Sequence, residues 1–386
     1  MGISEPTAFF IIAPVEQVRV QSSRLQDPTQ ERDEIMAGSS FGELFRVTTF
    51  GESHGTYIGV VVDGCPPRLP LTSEDFAKDM GRRRPGLTAF DTPRREKDQV
   101  EILSGVFQGL TTGAPIALLI KNKDADSSSY DILKRLFRPG HGDYSYFRKY
   151  GHFDYRGGGR YSARETAARV AAGVIAGKIL DPLGIKVSAY TIELGGIKAE
   201  TLDFDSVYES PFYCPDPDAT ARMLEVMNKA AKEGDSLGGI AEVRVTNCPW
   251  GLGEPVFDKL DAELAKAIMS VGAVKGVEVG AGFKAAGLKG SENNDPLIPG
   301  GFRTNHAGGI LGGISNGDEI VLRAAVKPIP SIYLEQGTID RDGKAASLKL
   351  SGRFDVSAIP RILPVLEAMV KIVIVDHYFR ARVKTD

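Results

Sequence analysis

The chain has 386 residues, of which 42% are hydrophobic and 25% are charged, so it can bury one large core or two smaller ones. The formal net charge of −3 argues against a nucleic-acid-binding protein, and no apolar run reaches the roughly 18 to 20 residues of a membrane helix. The widely spaced Cys65, Cys214 and Cys248 argue against a disulfide scaffold or a structural zinc site and indicate a reducing, cytoplasmic setting.

The first 35 residues differ from the rest of the chain. They carry six acidic and three basic side chains, and their one apolar run, FFIIAPV, has no basic segment before it, which does not match a signal or transit peptide. Met36 then opens MAGSSFGELF, which resembles a natural protein start. We expect residues 1–35 to be an N-terminal extension, disordered or derived from an expression leader, and residues 36–386 to form a single domain.

Short strands and a helix are predicted next. The runs RVTTF and IGVVVDG are typical of strands, and TSEDFAKDM predicts a helix capped by Thr72 or Ser73. The segment VEILSGVFQGLTTGAPIALLIKNKD predicts two strands around a glycine-rich turn.

The segment FRPGHGDYSY, residues 137–146, places His141 on a Pro-Gly turn. A histidine on a turn is usually a solvated side chain, so a solvated and a functional His141 are both open on this segment alone. Nine basic residues and three acidic ones lie between Lys134 and Arg169. This local excess favours a small polyanionic ligand in a cleft over a scatter of solvated arginines.

The segment DYRGGGRYSARETAARVAAG is typical of a phosphate site. Ser162 and Glu165 match a capping box, so we predict a helix from Ser162 behind three glycines. Its apolar stripe consists of Ala167, Val170, Ala171, Val174 and Ile175. A helix N-terminus attracts anions, and Arg156, Arg160 and Arg164 would surround one. A glycine turn before an ordinary helix is the alternative.

The C-terminal half adds two helices and a strand. DKLDAELAKAIMS predicts an amphipathic helix and VKGVEVG a strand. PRILPVLEAMVKIVIVDHYFRAR predicts a long helix that begins at Pro360 and packs through one face, formed by Leu363, Leu366, Val370 and Ile374. The pattern is mixed α/β without internal repeats.

Two motifs suggest other functions but lack the required context. GAGFKA, Gly280 to Ala285, matches a dinucleotide fingerprint, yet AAGLKGSENND after it breaks the helix that would receive the pyrophosphate. RRRPG, Arg82 to Gly86, is too short for a nucleic-acid patch and has no interleaved aromatic residues. A small-ligand role suits it better.

The motifs together resemble the chorismate synthase family, from about Ser39 to Tyr378. The matching segments, in order, are FGESHG, RRRPG, RREKDQVEILSGVF, FRPGHGDYSY, DYRGGGR with ARETAARVAAG, EGDSLGG, GLGEPVFDKLDAELAKAIMS, AVKGVE, NHAGGILGGISNG and KPIPSI.

The resemblance implies an α+β fold, a β-α-β layered sandwich that usually forms a homotetramer. It implies a catalytic domain that converts 5-enolpyruvylshikimate 3-phosphate to chorismate by 1,4-anti elimination of phosphate, with reduced FMN required although nothing is oxidised overall. A substrate and cofactor with two phosphates and two carboxylates call for many hydrogen-bond donors in one cleft.

The resemblance also implies catalytic roles for three residues. His54 matches the histidine that protonates the departing phosphate, and His141 matches the one that lies by the flavin and supports its reduced form. Asp355 matches the carboxylate that helps flavin N5 take the ring proton. We expect both histidines to need little tuning of their pKa, because histidine titrates near neutral pH. We expect His152, His306 and His377 to be structural.

Binding residues are implied in the same way. The FMN contacts would be Arg160, Tyr161, Ser162, Gly272, Ala273, Gly312, Lys327, Pro328, Ile329, Pro330, Ser331 and Arg353. Arg83 matches a substrate or NADPH contact, and the predicted substrate-binding set is Arg83, Arg84, Arg138 and Arg164. We predict no metal.

Three positions depart from the family pattern. Tyr161 stands where the family commonly has serine, Phe354 where it has histidine, and Ala89 where it has an arginine. A relative that acts on a related phosphorylated cyclohexene, or a non-catalytic flavin-binding protein, is therefore an alternative. Because the chain has no large insertion, we expect a separate flavin reductase to supply reduced FMN.

Overall fold

The computed structural model describes residues 38–86, 90–91, 98–122, 128–352 and 354–382. In chain order its strands are β1 (Ser40–Phe41), β2 (Arg46–Phe50), β3 (Tyr57–Asp63), β4 (Val100–Ile102), β5 (Val106–Phe107), β6 (Leu110–Thr111), β7 (Ile116–Lys121), β8 (Lys186–Leu194), β9 (Ile197–Lys198), β10 (Gly239–Thr246), β11 (Val274–Val279), β12 (Leu297–Ile298), β13 (Gly301–Phe302), β14 (Ile310–Leu311), β15 (Ile314–Ser315), β16 (Ile320–Val326), β17 (Gln336–Ile339) and β18 (Ala345–Leu348). The α-helices are α1 (Ala77–Arg83), α2 (Asp143–Tyr150), α3 (Thr166–Leu180), α4 (Pro217–Glu233), α5 (Leu260–Met269), α6 (Gly290–Asn293) and α7 (Ile359–Arg382).

The first antiparallel sheet has the strand order β1-β2-β3-β7-β4. Ile58, Val60 and Val62 of β3 are buried, because alternate side chains of a strand point to the same face. The predicted strands RVTTF and IGVVVDG are confirmed as β2 and β3. The prediction of two strands after Val100 was incomplete, since a short hairpin of β5 and β6 lies between β4 and β7.

The second antiparallel sheet has the order β11-β16-β10-β8-β9. The strand predicted at VKGVEVG is confirmed as β11, which pairs with β16. The last four residues of GAGFKA lie in a 3₁₀ segment, Gly282–Gly287, which is followed by α6, a helix of four residues. The described chain therefore has no helix after this motif that could receive a pyrophosphate, as the sequence predicted.

Helices α3 and α7 lie between the two sheets and pack against each other. α3 contacts β2, β3 and β7 of the first sheet, and α7 contacts β8 and β10 of the second. This arrangement confirms the predicted α+β fold with β-α-β layers. The prediction that α7 packs through one face was wrong, because nearly every residue from Ile359 to His377 is buried. A helix between two sheets meets protein on all sides, so an apolar stripe understates its burial.

A glycine in α3 sets how closely the two central helices approach. A Cβ added at Gly173 would lie 2.3 Å from Cβ and 2.6 Å from Cα of Ala368 in α7. We expect Gly173→Ala to lower the free energy of unfolding by about 1–2 kcal/mol, because overpacking outweighs the helix propensity of alanine. Urea unfolding at equilibrium measures this change.

Gly177 is a matched control on the same helix. Its added Cβ would meet only the Lys371 side chain, at 3.6 Å, so Gly177→Ala should raise the free energy of unfolding by up to about 1 kcal/mol. Equal stabilisation by both substitutions would contradict close packing at Gly173.

The C-terminal helix is also tied to the start of the first sheet. One carboxylate oxygen of Asp376, Oδ1, accepts hydrogen bonds from the backbone N–H groups of Glu43, Leu44 and Phe45 at 3.0, 2.7 and 2.8 Å. Residues Ser39 to Asp386 group into one compact unit, while the extension predicted for residues 1–35 lies outside the described residues. No helix in the described part of the chain is long and apolar enough to cross a membrane.

Candidate active site

The glycines of DYRGGGR form a tight turn that His54 packs against. Gly157, Gly158 and Gly159 have φ values of 57°, 89° and 53°, a left-handed region that glycine adopts readily. A Cβ at Gly157 would lie 2.3 Å from Cε1 of the His54 ring, so only glycine leaves room for this histidine. The backbone N–H of Ser53 donates to the Gly159 carbonyl at 3.1 Å. The loop that carries His54 is therefore fixed on the glycine turn.

The helix after the glycine turn begins later than predicted. Ser162 is an N-cap whose Oγ accepts from the backbone N–H of Arg164, but the next three residues form a 3₁₀ turn and α3 begins at Thr166. The Glu165 carboxylate pairs with Arg169 at 2.7 Å. The predicted capping box at Ser162 was therefore wrong in its second half, and Ser162 lies one turn before the start of α3.

The three arginines predicted to surround an anion point to different partners. Arg156 pairs with Asp154 at 2.8 Å and is partly exposed. Arg160 donates through Nη2 to the Thr49 carbonyl at 2.7 Å, and its buried Nη1 donates to no described acceptor, although Glu165 lies 3.8 Å away. Arg164 is buried. Of the three, Arg160 thus has a spare buried donor.

A buried carboxylate, Asp98, holds two of the predicted substrate-binding arginines. It accepts from Nη1 of Arg83 at 2.8 Å and from Nη1 of Arg164. Arg83 also donates to Thr166 and to the Ala163 carbonyl, and Arg164 to Asn122. Two guanidinium groups and one carboxylate give this cluster an excess positive charge.

The charge balance of this cluster is visible in two pKa shifts. Burial alone would raise the pKa of Asp98, but Arg83 and Arg164 outweigh burial and hold it below its usual value. Burial, helped by the neighbouring charges of Arg164 and Arg361, lowers the pKa of Arg83 to about 10 against the opposing effect of Asp98. Asp98 thus only partly compensates the two arginines.

Arg361 links this cluster to Asp355, the third predicted catalytic residue. Arg361 donates through Nε to the Arg83 carbonyl at 3.1 Å and through Nη1 to Oδ2 of Asp355 at 2.5 Å. Asp355 lines a cavity of about 240 Å³. The other lining residues are Phe90, Asp91, Ala231, Gly234, Asp235, Ser331, Ile332, Tyr333, Phe354 and Val356.

The turn that carries His141 lies against the segment 327–331. Nε2 of His141 is 2.7 Å from Oγ of Ser331, which also lines the cavity of Asp355. Nζ of Lys327 donates to the Gly140 carbonyl at 2.6 Å. Burial lowers the pKa of His141 to about 3, with help from the charges of Arg138 and Lys327. The expectation that His141 needs little pKa tuning was therefore wrong, and this imidazole is neutral at pH 7.

The two other predicted substrate-binding arginines differ in exposure. Arg84 is exposed at the end of α1. Arg138 is buried and forms a bidentate pair with Asp143, through Nε and Nη2 at 2.9 and 2.8 Å.

The remaining predicted FMN contacts fall in two places. Ala273 accepts from the Lys327 backbone N–H at 2.9 Å, so Gly272 and Ala273 lie beside the segment 327–331. Gly312 lies in the β14–β15 hairpin beside Gly313, whose carbonyl accepts from Leu260 at the start of α5. Gly272 and Ala273 follow the other end of α5, a helix of 10 residues that is about 15 Å long. Arg353 and Ala89 lie outside the described residues.

The remaining histidines lie elsewhere. His152 is exposed, His377 is buried within α7, and Nδ1 of His306 is 3.3 Å from Asp295. Within the described ranges, no group of three or more His, Cys, Asp or Glu side chains is placed to hold a metal ion.

Sequence reasoning missed three residues that hold the predicted site residues in place. Asp98 and Asp143 lie inside motifs that were recognised, RREKDQV and FRPGHGD, but neither had an assigned role. Arg361 lies in the segment predicted as the long C-terminal helix, outside the motifs that match the family. The signal for the two aspartates was an acidic residue a few positions after an arginine in a recognised motif. For Arg361 the sequence carries no comparable signal.

Comparisons with known proteins all indicate the same family. The family model described as chorismate synthase matches residues 45–379. The chain is 60% identical over 345 residues to a chorismate synthase of Desulfatibacillum aliphaticivorans, covering 89% of this chain and 96% of that protein. It is 57% identical over 354 residues to a chorismate synthase of Syntrophus aciditrophicus, covering 91% and 100%. A crystal structure of a chorismate synthase superposes with a TM-score of 0.71 at 32% identity, covering 88% of this chain and 93% of that one.

Proposed function

The chain belongs to the chorismate synthase family, and from that premise we propose that His54, His141 and Asp355 are the catalytic residues of its active site. The enzyme is a lyase that converts 5-enolpyruvylshikimate 3-phosphate to chorismate by 1,4-anti elimination of phosphate, in the biosynthesis of aromatic amino acids. The alternatives, a related phosphorylated cyclohexene or a non-catalytic flavin-binding protein, have no support from these comparisons.

One observation carries the assignment of the site. His54 packs on the glycine turn, and the turn with His141 contacts Ser331, which shares a cavity with Asp355. Arg361 joins Asp355 to the Arg83–Asp98–Arg164 cluster. The glycine turn also faces the turn of His141, because a Cβ at Gly158 would lie 3.5 Å from Nη2 of Arg138. The three proposed catalytic residues are therefore linked through one region that carries excess positive charge, which suits an anionic substrate.

The elimination breaks a C–O bond and a C–H bond and releases phosphate and a proton. We assign to His54 the protonation of the departing phosphate, because a proton donor stabilises a leaving dianion. His141 acts as a neutral imidazole, since burial keeps its pKa far below 7. It can donate or accept one hydrogen bond near the cofactor without adding charge. Asp355 is the carboxylate that assists removal of the ring proton.

The residues fit a flavin mononucleotide. The positive φ values of Gly157 to Gly159 let a ligand approach the backbone closely, and Arg160 has a buried Nη1 without a described acceptor. We assign FMN binding to Arg160, Tyr161, Ser162, Gly272, Ala273, Gly312, Lys327 to Ser331 and Arg353. Reduced FMN, when bound, supplies an electron-rich ring that assists phosphate loss and undergoes no net change.

We also propose two kinds of partner: other copies of this chain in a homotetramer, and a separate flavin reductase that supplies reduced FMN. Gly312 and Ala273 lie at opposite ends of α5, and this separation supports the proposal of an oligomer.

Reduced FMN is expected to be obligatory and not consumed. In anaerobic assays, dithionite-reduced FMN should support many turnovers of 5-enolpyruvylshikimate 3-phosphate per flavin, with chorismate followed by its absorbance. Oxidised FMN without a reductant should give none, because the elimination depends on the electron-rich form.

Three controls separate the parts of this proposal. Equal chorismate production with oxidised FMN alone would contradict the cofactor assignment. Turnover with NADPH and FMN, without dithionite or a second protein, would contradict the separate reductase. Absence of chorismate under every condition, with the protein folded, would contradict the substrate.

A further inference from the structure

The carboxylate of Asp143 is shared between the turn that carries His141 and the glycine turn. It accepts from the backbone N–H, Nε and Nη2 of Arg138 at 2.9, 2.9 and 2.8 Å, and from the hydroxyl of Tyr161. Asp143 is 2% exposed. Burial alone would raise its pKa, but the hydrogen bonds from Arg138 and Tyr161 outweigh burial and keep it below its usual value. Asp143 is therefore a charged acceptor of four donors.

The ring of Tyr161 lies between the same two turns. Its centroid is 4.4 Å from that of Tyr146. A Cβ built on Gly142 or on Gly158 would lie 3.4 or 3.1 Å from the Tyr161 ring, so both glycine backbones contact it. Burial and the neighbouring Asp143 carboxylate raise the pKa of the Tyr161 phenol, which keeps its hydroxyl a donor.

His141 lies in the middle of the segment that these contacts hold. Arg138 and Asp143 flank it in the chain, and the carbonyl of Arg138 accepts from its backbone N–H at 3.4 Å. On the other side, Ser331 and Lys327 hold the turn through Nε2 of His141 and the Gly140 carbonyl. The turn is therefore held from two sides, and Tyr161 and Asp143 provide one of them.

We propose that Tyr161 and Asp143 form a positioning pair that fixes the turn of His141 against the glycine turn and acts on the reaction through His141. The proposal rests on the catalytic role proposed for His141. The family commonly has serine at this position, and a serine cannot provide both the ring that packs on Gly142 and Gly158 and a hydroxyl that reaches Asp143. The side chain of Tyr161 is thus occupied by protein contacts, which leaves its backbone for the cofactor.

The test compares Tyr161→Phe, which removes only the hydroxyl, with Tyr161→Ser, which also removes the ring. We expect kcat to fall about threefold to tenfold in Tyr161→Phe and further in Tyr161→Ser, with KM for 5-enolpyruvylshikimate 3-phosphate changed less than twofold, because a displaced His141 affects chemistry more than substrate binding.

A second readout needs neither flavin nor turnover. The chain has five histidines, so the Cε1–H signal of His141 can be assigned by its loss in His141→Gln and titrated by NMR. The charged groups that face His141 are Arg138 and Lys327, which lower its pKa, and Asp143, which raises it. We expect Tyr161→Phe to raise the pKa of His141 towards 6.5, because a loosened turn admits water. Asp143→Asn should also lower kcat. This variant tests the same pair from the other side if a Tyr161 variant does not fold.

Tyr190→Phe is the matched control. Tyr190 is a buried tyrosine whose hydroxyl also donates to a buried carboxylate, that of Glu242, but it lies in the second sheet. This variant should lose stability while its kcat and the titration of His141 stay unchanged.

Two results would overturn the pair: wild-type kcat with an unchanged His141 titration in Tyr161→Phe, or equal changes in Tyr190→Phe. Retained turnover in His141→Ala would instead refute the role of His141, so failure of the pair and failure of the proposed function are distinguishable.

Discussion

Replacement of His54 or His141 by alanine is expected to slow turnover by roughly 10² to 10⁴, the usual contribution of a positioned acid, base or hydrogen-bonding group. His54 packs on the glycine turn, where alanine would leave the departing phosphate without its proton donor. His141 contacts Ser331 at 2.7 Å and is neutral at pH 7, so alanine would remove an uncharged hydrogen-bonding group beside the proposed cofactor site. Steady-state kinetics with saturating reduced FMN measures both effects.

His152→Ala is the control for these variants, because His152 is exposed and lies outside the proposed site. It should retain wild-type turnover. Thermal melting of all three variants separates catalysis from folding. Full activity of both His54→Ala and His141→Ala, with unchanged melting temperatures, would make these histidines structural residues.

Substitution of Asp98 by asparagine is expected to lower the free energy of unfolding by about 3–5 kcal/mol, the usual cost of leaving a buried charge without its partner. Asp98 is the carboxylate between Arg83 and Arg164, and all three side chains are buried. Without its charge, two guanidinium groups repel each other in a region that already disfavours the charged form of Arg83. Equilibrium unfolding in urea at pH 7 measures this decrease in the free energy of unfolding. The KM for substrate should also rise, because both arginines lose the carboxylate that holds them in place.

The pH dependence of stability gives an independent check. The folded-state pKa of Asp98 lies below its unfolded value, so its contribution is complete above that unfolded value and is lost as the pH falls through the folded pKa. The wild type should therefore lose more stability on acidification than Asp98→Asn.

Asp258→Asn is the matched control for Asp98. Asp258 pairs with Arg380 at 2.8 Å but is about half exposed, and such pairs contribute little. If Asp98→Asn lowers the free energy of unfolding no more than Asp258→Asn does, the buried arginines do not need the Asp98 carboxylate.

Local patterns in the sequence were sufficient for several elements. The alternation of RVTTF and IGVVVDG predicted β2 and β3, and the amphipathic DKLDAELAKAIMS predicted α5. The N-cap at Ser162 was also correct. These features depend on residues within a few positions of one another, so their physical cause is contained in the segment itself.

Segments whose surroundings are formed by distant parts of the chain were predicted less well. The apolar stripe of α7 did not reveal burial on every side, which follows from its position between two sheets. Glu165 matched a capping box, yet its carboxylate pairs with Arg169, because a nearby guanidinium competes with the backbone N–H for the same oxygen atoms.

The sequence by itself determined the family, the layered α+β fold and the residue types available for catalysis, because ordered motifs along the chain carry that information. Only the tertiary structure decided the chemical state of those residues. His141 became a neutral imidazole because burial removes its water and because the nearby charges of Arg138 and of Lys327, 186 positions away, disfavour a protonated ring. Arg83 and Arg164 share Asp98 because α1, the 3₁₀ turn before α3 and the residues before β4 meet in the folded protein. Solvation and charge depend on neighbours in space, and distance along the chain does not encode them.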